Sequence, residues 1–382
     1  MTHEILKMPR RTGTAAVPAV QKRPHDRGRT AVALALFALV ALLGALARPS
    51  PPSLSTQVTG DAALTARARP LLHGHLDRVS IAVLDGATTT YAGFGANEHT
   101  EYEIGSLTKT FTALLLADAI RRGEVRADTK VGALLPLDDA PIADVTLAEL
   151  ASHRSGLSAQ GMQRADAIPF VLRLLSHRNP FIHDVGGVLA IARKATLTNR
   201  GSVVYSNLGV ALLGHALAAA AQTDYPRLVQ DRLFTPLGMA ASSLPLRTAN
   251  LPDDAPTGYS ATGVAEAPWT IGGWAPAGGA RSTLADMVRY ARALLDGTAP
   301  GMEALTPRWE AGAQHIGYVW TTQEYQGHTV TMKNGLTGGF TSKIILDRAN
   351  HRAVIVLSNT AAEVDTAANG LLVGEHAWTA SR

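Results

Sequence analysis

Gly105-Ser106-Leu107-Thr108-Lys109-Thr110 runs without a break into Phe111-Thr112-Ala113-Leu114-Leu115-Leu116-Ala117-Asp118-Ala119-Ile120, and the reading of this stretch decides the fold. In its second half Leu114, Leu115, Ala117 and Ile120 recur at helical spacing, with neither proline nor glycine until Gly123. That pattern predicts a buried helix. Ser106 then falls in the first turn, with Lys109 three residues on over the same face. A hydroxyl nucleophile so placed has an amine within reach, and the free N–H groups and dipole of the helix start favour developing negative charge. Serine needs a neighbouring base, which a desolvated lysine supplies. S-x-x-K is a common spacing, and a solvated lysine beside a helix-start serine also accounts for it. The rest of the chain has to decide.

With 382 residues, 46% of them hydrophobic, the chain is long enough to bury a large core in one or two domains. It holds no cysteine, which excludes a thiol nucleophile, a disulfide scaffold and cysteine-ligated metal. The formal charge of +4 is unevenly placed. Residues 1–30 carry seven basic against two acidic side chains, so residues 31–382 are left at −1. A near-neutral body gives no case for nucleic acid binding. The basic tail instead flanks Ala31 to Ala47, 17 uncharged residues rich in Ala, Leu and Val that end in Ala45-Leu46-Ala47. This is the pattern of a secretory signal, and equally of an uncleaved transmembrane anchor with its positive flank inside. Both readings expect an extracytoplasmic (periplasmic or secreted) body, tied to the membrane if the segment is retained. Residues 48–60 read as a Pro-rich linker and 61–380 as the folded domain.

Residues 61–78 suggest an amphipathic helix through Leu64, Leu71, Leu72 and Leu76. Within it, His73-Gly74-His75-Leu76-Asp77 approaches a metal-binding H-x-H-x-D, but Arg78 stands where a further histidine is needed. No metal is expected there. Val79 to Leu84 and Thr88 to Ala92 read as paired strands about Asp85-Gly86. Val145 to Ala151 is a helix with Thr146 as cap and Glu149 three residues on. Residues 158–198 read as a mostly helical insert, and Val210 to Ala221 as a helix fed by the extended Val203-Val204-Tyr205. Another helix opens at Ala277-Gly278-Gly279-Ala280-Arg281-Ser282-Thr283. The last third is strand-like, with Thr329 to Lys333 alternating and a hairpin of Phe340 to Leu346 with Ala353 to Leu357. A closing helix covers roughly Val364 to Trp378.

Taken together, Ser106-Leu107-Thr108-Lys109, Tyr205-Ser206-Asn207 and Lys333-Asn334-Gly335 resemble the three motifs of the serine β-lactamase and penicillin-binding protein superfamily: S-x-x-K, then Y-x-N in place of S-D-N, then a relative of K-T-G. The order agrees, with 99 residues from Ser106 to Tyr205 and 128 more to Lys333. Flanking stretches agree too: Ser152-His153-Arg154-Ser155-Gly156-Leu157, Pro236-Leu237-Gly238-Met239 and Gly335-Leu336-Thr337-Gly338-Gly339-Phe340. Y-x-N is similar to the class C β-lactamase, D-Ala-D-Ala carboxypeptidase and esterase branch. The resemblance implies an α/β sandwich, an antiparallel sheet flanked by helices, with an all-helical lobe over roughly 123–280.

It also implies a chemistry without a cofactor. Ser106 would attack a carbonyl and become acylated, with Lys109, or Lys109 together with Tyr205, taking the proton. Tyr205 would pass a proton to the leaving group, a role that needs the positive charge of Lys109 and Lys333 nearby. Asn207 would orient Lys109 and hold the substrate amide. The N–H groups of Ser106 and Leu336 would form the oxyanion hole, and Lys333, Asn334 and Gly335 would meet the substrate, the first two at its carboxylate. The expected partner is a small-molecule or peptidoglycan-derived substrate: a β-lactam, a D-Ala peptide or an ester. The competing reading is a binder of penicillin or peptidoglycan that does not turn over, although a pure binder has no need of the base. An α/β-hydrolase esterase would need G-x-S-x-G, which the chain lacks.

Overall fold

The computed structural model describes residues 51–373. The basic tail, the apolar run Ala31 to Ala47, the start of the linker and the end of the closing helix lie outside the described residues. The strands are β1 Val58–Gly60, β2 Val79–Asp85, β3 Thr88–Phe94, β4 Glu101–Glu103, β5 Gly258–Tyr259, β6 Ala265–Glu266, β7 Arg281–Thr283, β8 Trp309–Ala311, β9 Gln314–Ile316, β10 Thr321–Tyr325, β11 His328–Leu336, β12 Thr341–Asp347 and β13 Arg352–Ser358. Nine of them form one antiparallel sheet in the order β1-β3-β2-β13-β12-β11-β10-β9-β8. β1 falls within the stretch read as linker. It pairs with β3 from Val58 opposite Phe94 to Gly60 opposite Ala92, so the sheet begins before residue 61.

Period-two alternation sorts the sheet's side chains into two cores. Along β13, Ala353, Ile355 and Leu357 join the larger core under the helical lobe. Val354 and Val356 join a smaller one with Leu64, Ala68, Leu371 and Leu372 of the first and last helices. Because helices cover both faces, these strands read as unbroken apolar runs. The helix expected over 61–78 is shorter than its leucine spacing suggested: Ala62–Ala68 is helical and Arg69–Leu71 makes one tighter turn. Pro70 cannot donate to the ladder, and Gly74 turns the chain with φ +87°, which leaves His73 and His75 in a loop. Among the described residues no three His, Asp or Glu side chains gather as metal ligands would, and no helix is long and apolar enough to cross a membrane.

The Thr108–Arg121 helix is buried from Thr108 to Ala119. Its Phe111 ring meets Phe234 and Tyr290 edge to face, 5.4 and 5.0 Å between centroids. Beside it runs the Asn207–Ala220 helix, capped by the Ser206 hydroxyl on the Gly209 N–H. A Cβ on its Gly214 would lie 2.2 Å from Pro276, so glycine is what lets the Ala275–Gly278 turn press against it. Over 123–280 the regular elements are helices joined by loops, except for the ribbon of β5 and β6. Tyr259 donates its N–H to the Gly339 and Asn359 carbonyls, so the main sheet's end holds that segment extended.

Thr146 and Glu149 close a reciprocal capping box on the Leu147–Ala151 helix. Burial pushes the Glu149 carboxyl up, but hydrogen bonds from Arg200 and from Thr146 outweigh it and hold the group at about 2. Its stabilisation is therefore complete above the ordinary glutamate pKa and lost as pH falls toward 2. Glu149→Gln should lower stability at pH 7 by about 1 kcal/mol. A melting temperature equal to wild type at pH 7 in thermal denaturation would contradict this account of the cap.

Candidate active site

The strand β4 ends at Glu103, and Gly105 turns the chain with φ +48° into the Gly105–Leu107 turn that starts the central helix. Two glycines let β11 press against that turn. A Cβ on Gly105 would stand 2.7 Å from the Leu336 nitrogen, and one on Gly335 would stand 2.0 Å from the Ile104 carbonyl oxygen. The Thr337 N–H donates to the Phe340 carbonyl. Antiparallel pairs alternate between bonded and unbonded, so the Leu336 N–H turns away from β12, toward the edge that β10 vacates past its last pairing of Thr321 with Met332. The structure thus brings the Leu336 backbone against the Ser106 turn, whose own N–H lies in the helix's first turn.

Ser106 Oγ lies 2.9 Å from Lys109 Nζ and 2.5 Å from the Tyr205 hydroxyl. Lys109 is fully buried. Its Nζ lies 2.8 Å from Asn207 Oδ1 and also donates to the Ala277 carbonyl. Burial drives its pKa well below the usual lysine value. A neutral amine has two N–H bonds and one lone pair. With the two N–H groups on Asn207 and Ala277, the lone pair faces the Ser106 hydroxyl. That is the arrangement a general base needs.

Tyr205 sits at the mouth with its ring between two lysines: Lys109 Nζ is 4.9 Å and Lys333 Nζ 5.1 Å from the ring centroid. Lys333 is itself buried. Burial lowers its pKa to about 8, partly offset by Tyr205, with Lys109 and Lys343 lowering it further. Asn334 is exposed, and alternation along β11 puts it on the other side of the strand from Lys333. Gly335 serves the close approach to Ile104 described above. Ser106, Lys109, Tyr205, Asn207, Lys333 and the Leu336 backbone are therefore brought together, and the Asn334 side chain stands apart.

Several contributors were not singled out as functional from the sequence. The Ala277 carbonyl holds Lys109. Phe181, Trp269, Ile271 and Trp274 line a narrow pocket of about 50 Å³ against Ser106. His153 is buried in the left-handed region, φ +57°. Its Nδ1 accepts the Ser206 N–H at 3.2 Å, and its ring lies 4.7 Å from that of Tyr205. Burial, and then the charges of Lys333 and Lys109, push its pKa well below the usual range, so it remains neutral. Its one sequence signal was membership of the flank Ser152 to Leu157.

The profile of the Beta-lactamase family matches residues 64–377. Penicillin-binding protein 4 of Amycolatopsis lactamdurans is 26% identical over 298 residues, which cover 70% of this chain and 73% of that protein. The chain spans 59% and 25% of the next two curated relatives. A β-lactamase/D-alanine carboxypeptidase structure from Pseudomonas syringae superposes with TM-score 0.69 at 17% identity, covering 84% of this chain and all of that one. A D-stereospecific amidohydrolase from Streptomyces sp. gives TM-score 0.68 at 22% identity, over 81% of this chain and 98% of that one.

The contacts of His153 make it a positioning residue for Tyr205. His153→Ala, which removes both ring and acceptor, should slow turnover of p-nitrophenyl acetate at least tenfold, roughly 1.4 kcal/mol, with little change in KM. His153→Phe, which restores the ring, should recover most of the rate. Steady-state ester kinetics decide it: a phenylalanine variant no faster than the alanine one removes this role.

Proposed function

The chain belongs to the Beta-lactamase family, and from that premise we propose that it is an extracytoplasmic serine hydrolase working through an acyl-enzyme at Ser106. The substrate is an amide or ester: a β-lactam, a D-Ala-terminating peptide or a small ester. The observation that carries this reading is the hydrogen-bonded cluster of Ser106, Tyr205 and a fully buried Lys109. The names of the relatives, among them a penicillin-binding protein, a carboxypeptidase and an amidohydrolase, point to the same group of substrates.

In this reading the neutral Lys109 takes the Ser106 proton as Oγ attacks the carbonyl carbon. The N–H groups of Ser106 and Leu336 receive the oxyanion, a contribution on the order of 3–4 kcal/mol. Tyr205, 2.5 Å from Oγ, donates a proton to the leaving nitrogen or oxygen and later takes one from the water that releases the acyl group. Lys333 supplies the positive charge for a substrate carboxylate. The unpaired edge of β11 at Asn334 and Leu336 offers backbone groups on which an extended substrate can lie. Ala31 to Ala47 would carry the protein across the membrane and, if kept, hold it there.

The test is purified protein mixed separately with a fluorescent penicillin, a chromogenic cephalosporin and p-nitrophenyl acetate, followed by intact-mass spectrometry. A covalent adduct that disappears in Ser106→Ala is expected with at least one. Ligand binding without adduct or turnover, unchanged in Ser106→Ala, would favour the non-turnover binder instead.

The two lysines also set a pH dependence. Lys109 must be neutral to act, so kcat/KM rises with pH as it loses its proton. Lys333 is charged below about 8, so kcat/KM for a carboxylated cephalosporin should fall as pH rises through about 8, whereas a neutral ester should show no such fall from this group. Lys333→Ala should abolish the alkaline limb and cost tenfold or more on the carboxylated substrate. Equal losses on both substrates would show that Lys333 does not read the carboxylate.

A further inference from the structure

Behind the catalytic pocket, within the helical lobe, is a second and much larger cavity of about 690 Å³. It lies between the start of the Val185–Lys194 helix and the later turns of the Asn207–Ala220 helix. The partition between the two pockets is one chain segment thick. Thr270, Gly273 and Ala275 line the large cavity, while Ile271, Trp274 and Ala277 line the catalytic one. Phe181 lines both.

Three features describe what would fill it. At its mouth Ile182, Val185 and Leu246 are held 57%, 43% and 40% exposed. Such side chains are unremarkable singly, but here they ring one opening. In the wall His215 donates Nε2–H to the Gly273 carbonyl at 2.6 Å. Burial lowers its pKa, so the ring is neutral and Nδ1 keeps a lone pair that no group among the described residues uses. The rim carries Asp184 and Asp224 against Arg247, a mixture that gives no preference for an anion. A volume of this size is that of a drug-sized ligand site.

We propose that this cavity is a second binding site, for a neutral apolar molecule bearing one hydrogen-bond donor for His215 Nδ1, and that its occupant acts on the catalytic centre through the shared wall. The wall carries the Ala277 carbonyl that accepts from Lys109, and His215 holds the same segment at Gly273. A ligand that shifts this segment changes the surroundings of the base without touching the substrate. The site stands whether or not the hydrolase reading does, because binding is measured apart from turnover.

The probe is N-phenyl-1-naphthylamine, which is neutral, aromatic and carries one N–H, titrated into the full-length protein and followed by its fluorescence. One saturable site is expected, retained in Ser106→Ala and after Ser106 is blocked with phenylmethylsulfonyl fluoride. Ala219→Trp, which fills the cavity from the helix, should weaken binding tenfold or more, and so should His215→Phe, which removes the acceptor. Leu246→Glu at the mouth serves if the tryptophan variant does not melt like wild type. The probe should change p-nitrophenyl acetate turnover in wild type and leave it unchanged in Ala219→Trp. Absence of saturable binding overturns the proposal. So does binding that survives the cavity variants, or binding lost on blocking Ser106, which would put the probe in the catalytic pocket.

Discussion

Burying the amine of Lys109 costs several kcal/mol as a charge and far less as a neutral group, and much of the structure around Ser106 follows from that difference. The fold places the amine at the second residue of a helix that is buried through Ala119 and, among the described residues, gives it no carboxylate partner. Its contacts are an amide oxygen, a carbonyl and a hydroxyl. An ion pair there would have kept the lysine protonated and useless as a base. With only neutral acceptors, desolvation wins, and the lone pair is directed at the one partner that can give up a proton. The amide oxygen comes from Asn207 in the first turn of a second helix and the carbonyl from Ala277 in a third segment, so the base is assembled by packing three elements together.

The same packing brings the Leu336 backbone to the Ser106 turn, where the proposed mechanism places the oxyanion. β11 can reach the Ser106 turn only because Gly105 and Gly335 leave no Cβ between the two backbones. Behind this contact a buried charge cluster fixes the segment that closes the pocket. Arg281 lies 2.5 Å from Glu101 and 3.1 Å from Glu103, and Glu103 accepts the Trp269 N–H at 2.8 Å. Burial raises the Glu103 pKa while Arg281 lowers it. Such a pair contributes little net stability. Its effect is to orient β4, β7 and the Trp269 backbone relative to the nucleophile.

Much of this was legible in the sequence, because the information there is local. The S-x-x-K spacing fixes a hydroxyl and an amine on one helical face, Tyr205 and Asn207 flank one helix start, and Thr146 with Glu149 spells out a capping box. The rest is long-range. No residue near Ala277 marks its carbonyl as the acceptor for an amine 168 positions earlier. The proximity of His153 to Tyr205 depends on how two loops cross. The strands β8 to β10 carry Trp309-Glu310-Ala311 and Thr321-Thr322-Gln323-Glu324-Tyr325, half-polar runs that lack the apolar signal of a covered strand. Asn334 shows how position in a motif differs from position in space. It follows Lys333 by one residue, and in a strand one residue is the opposite face.

Two lysines flank one phenol, and Lys109 lowers the proton affinity of Lys333. Their environments separate them. Lys333 keeps its charge below about 8 because Tyr205 partly offsets its burial, while burial is the cause that lowers Lys109. A neutral His153 packed against the same ring adds no third charge. In the proposed mechanism Lys333 is accordingly left for the substrate and the buried amine of Lys109 for the proton. The motif resemblance already gives each lysine its task; burial and contact geometry supply a physical reason for that division.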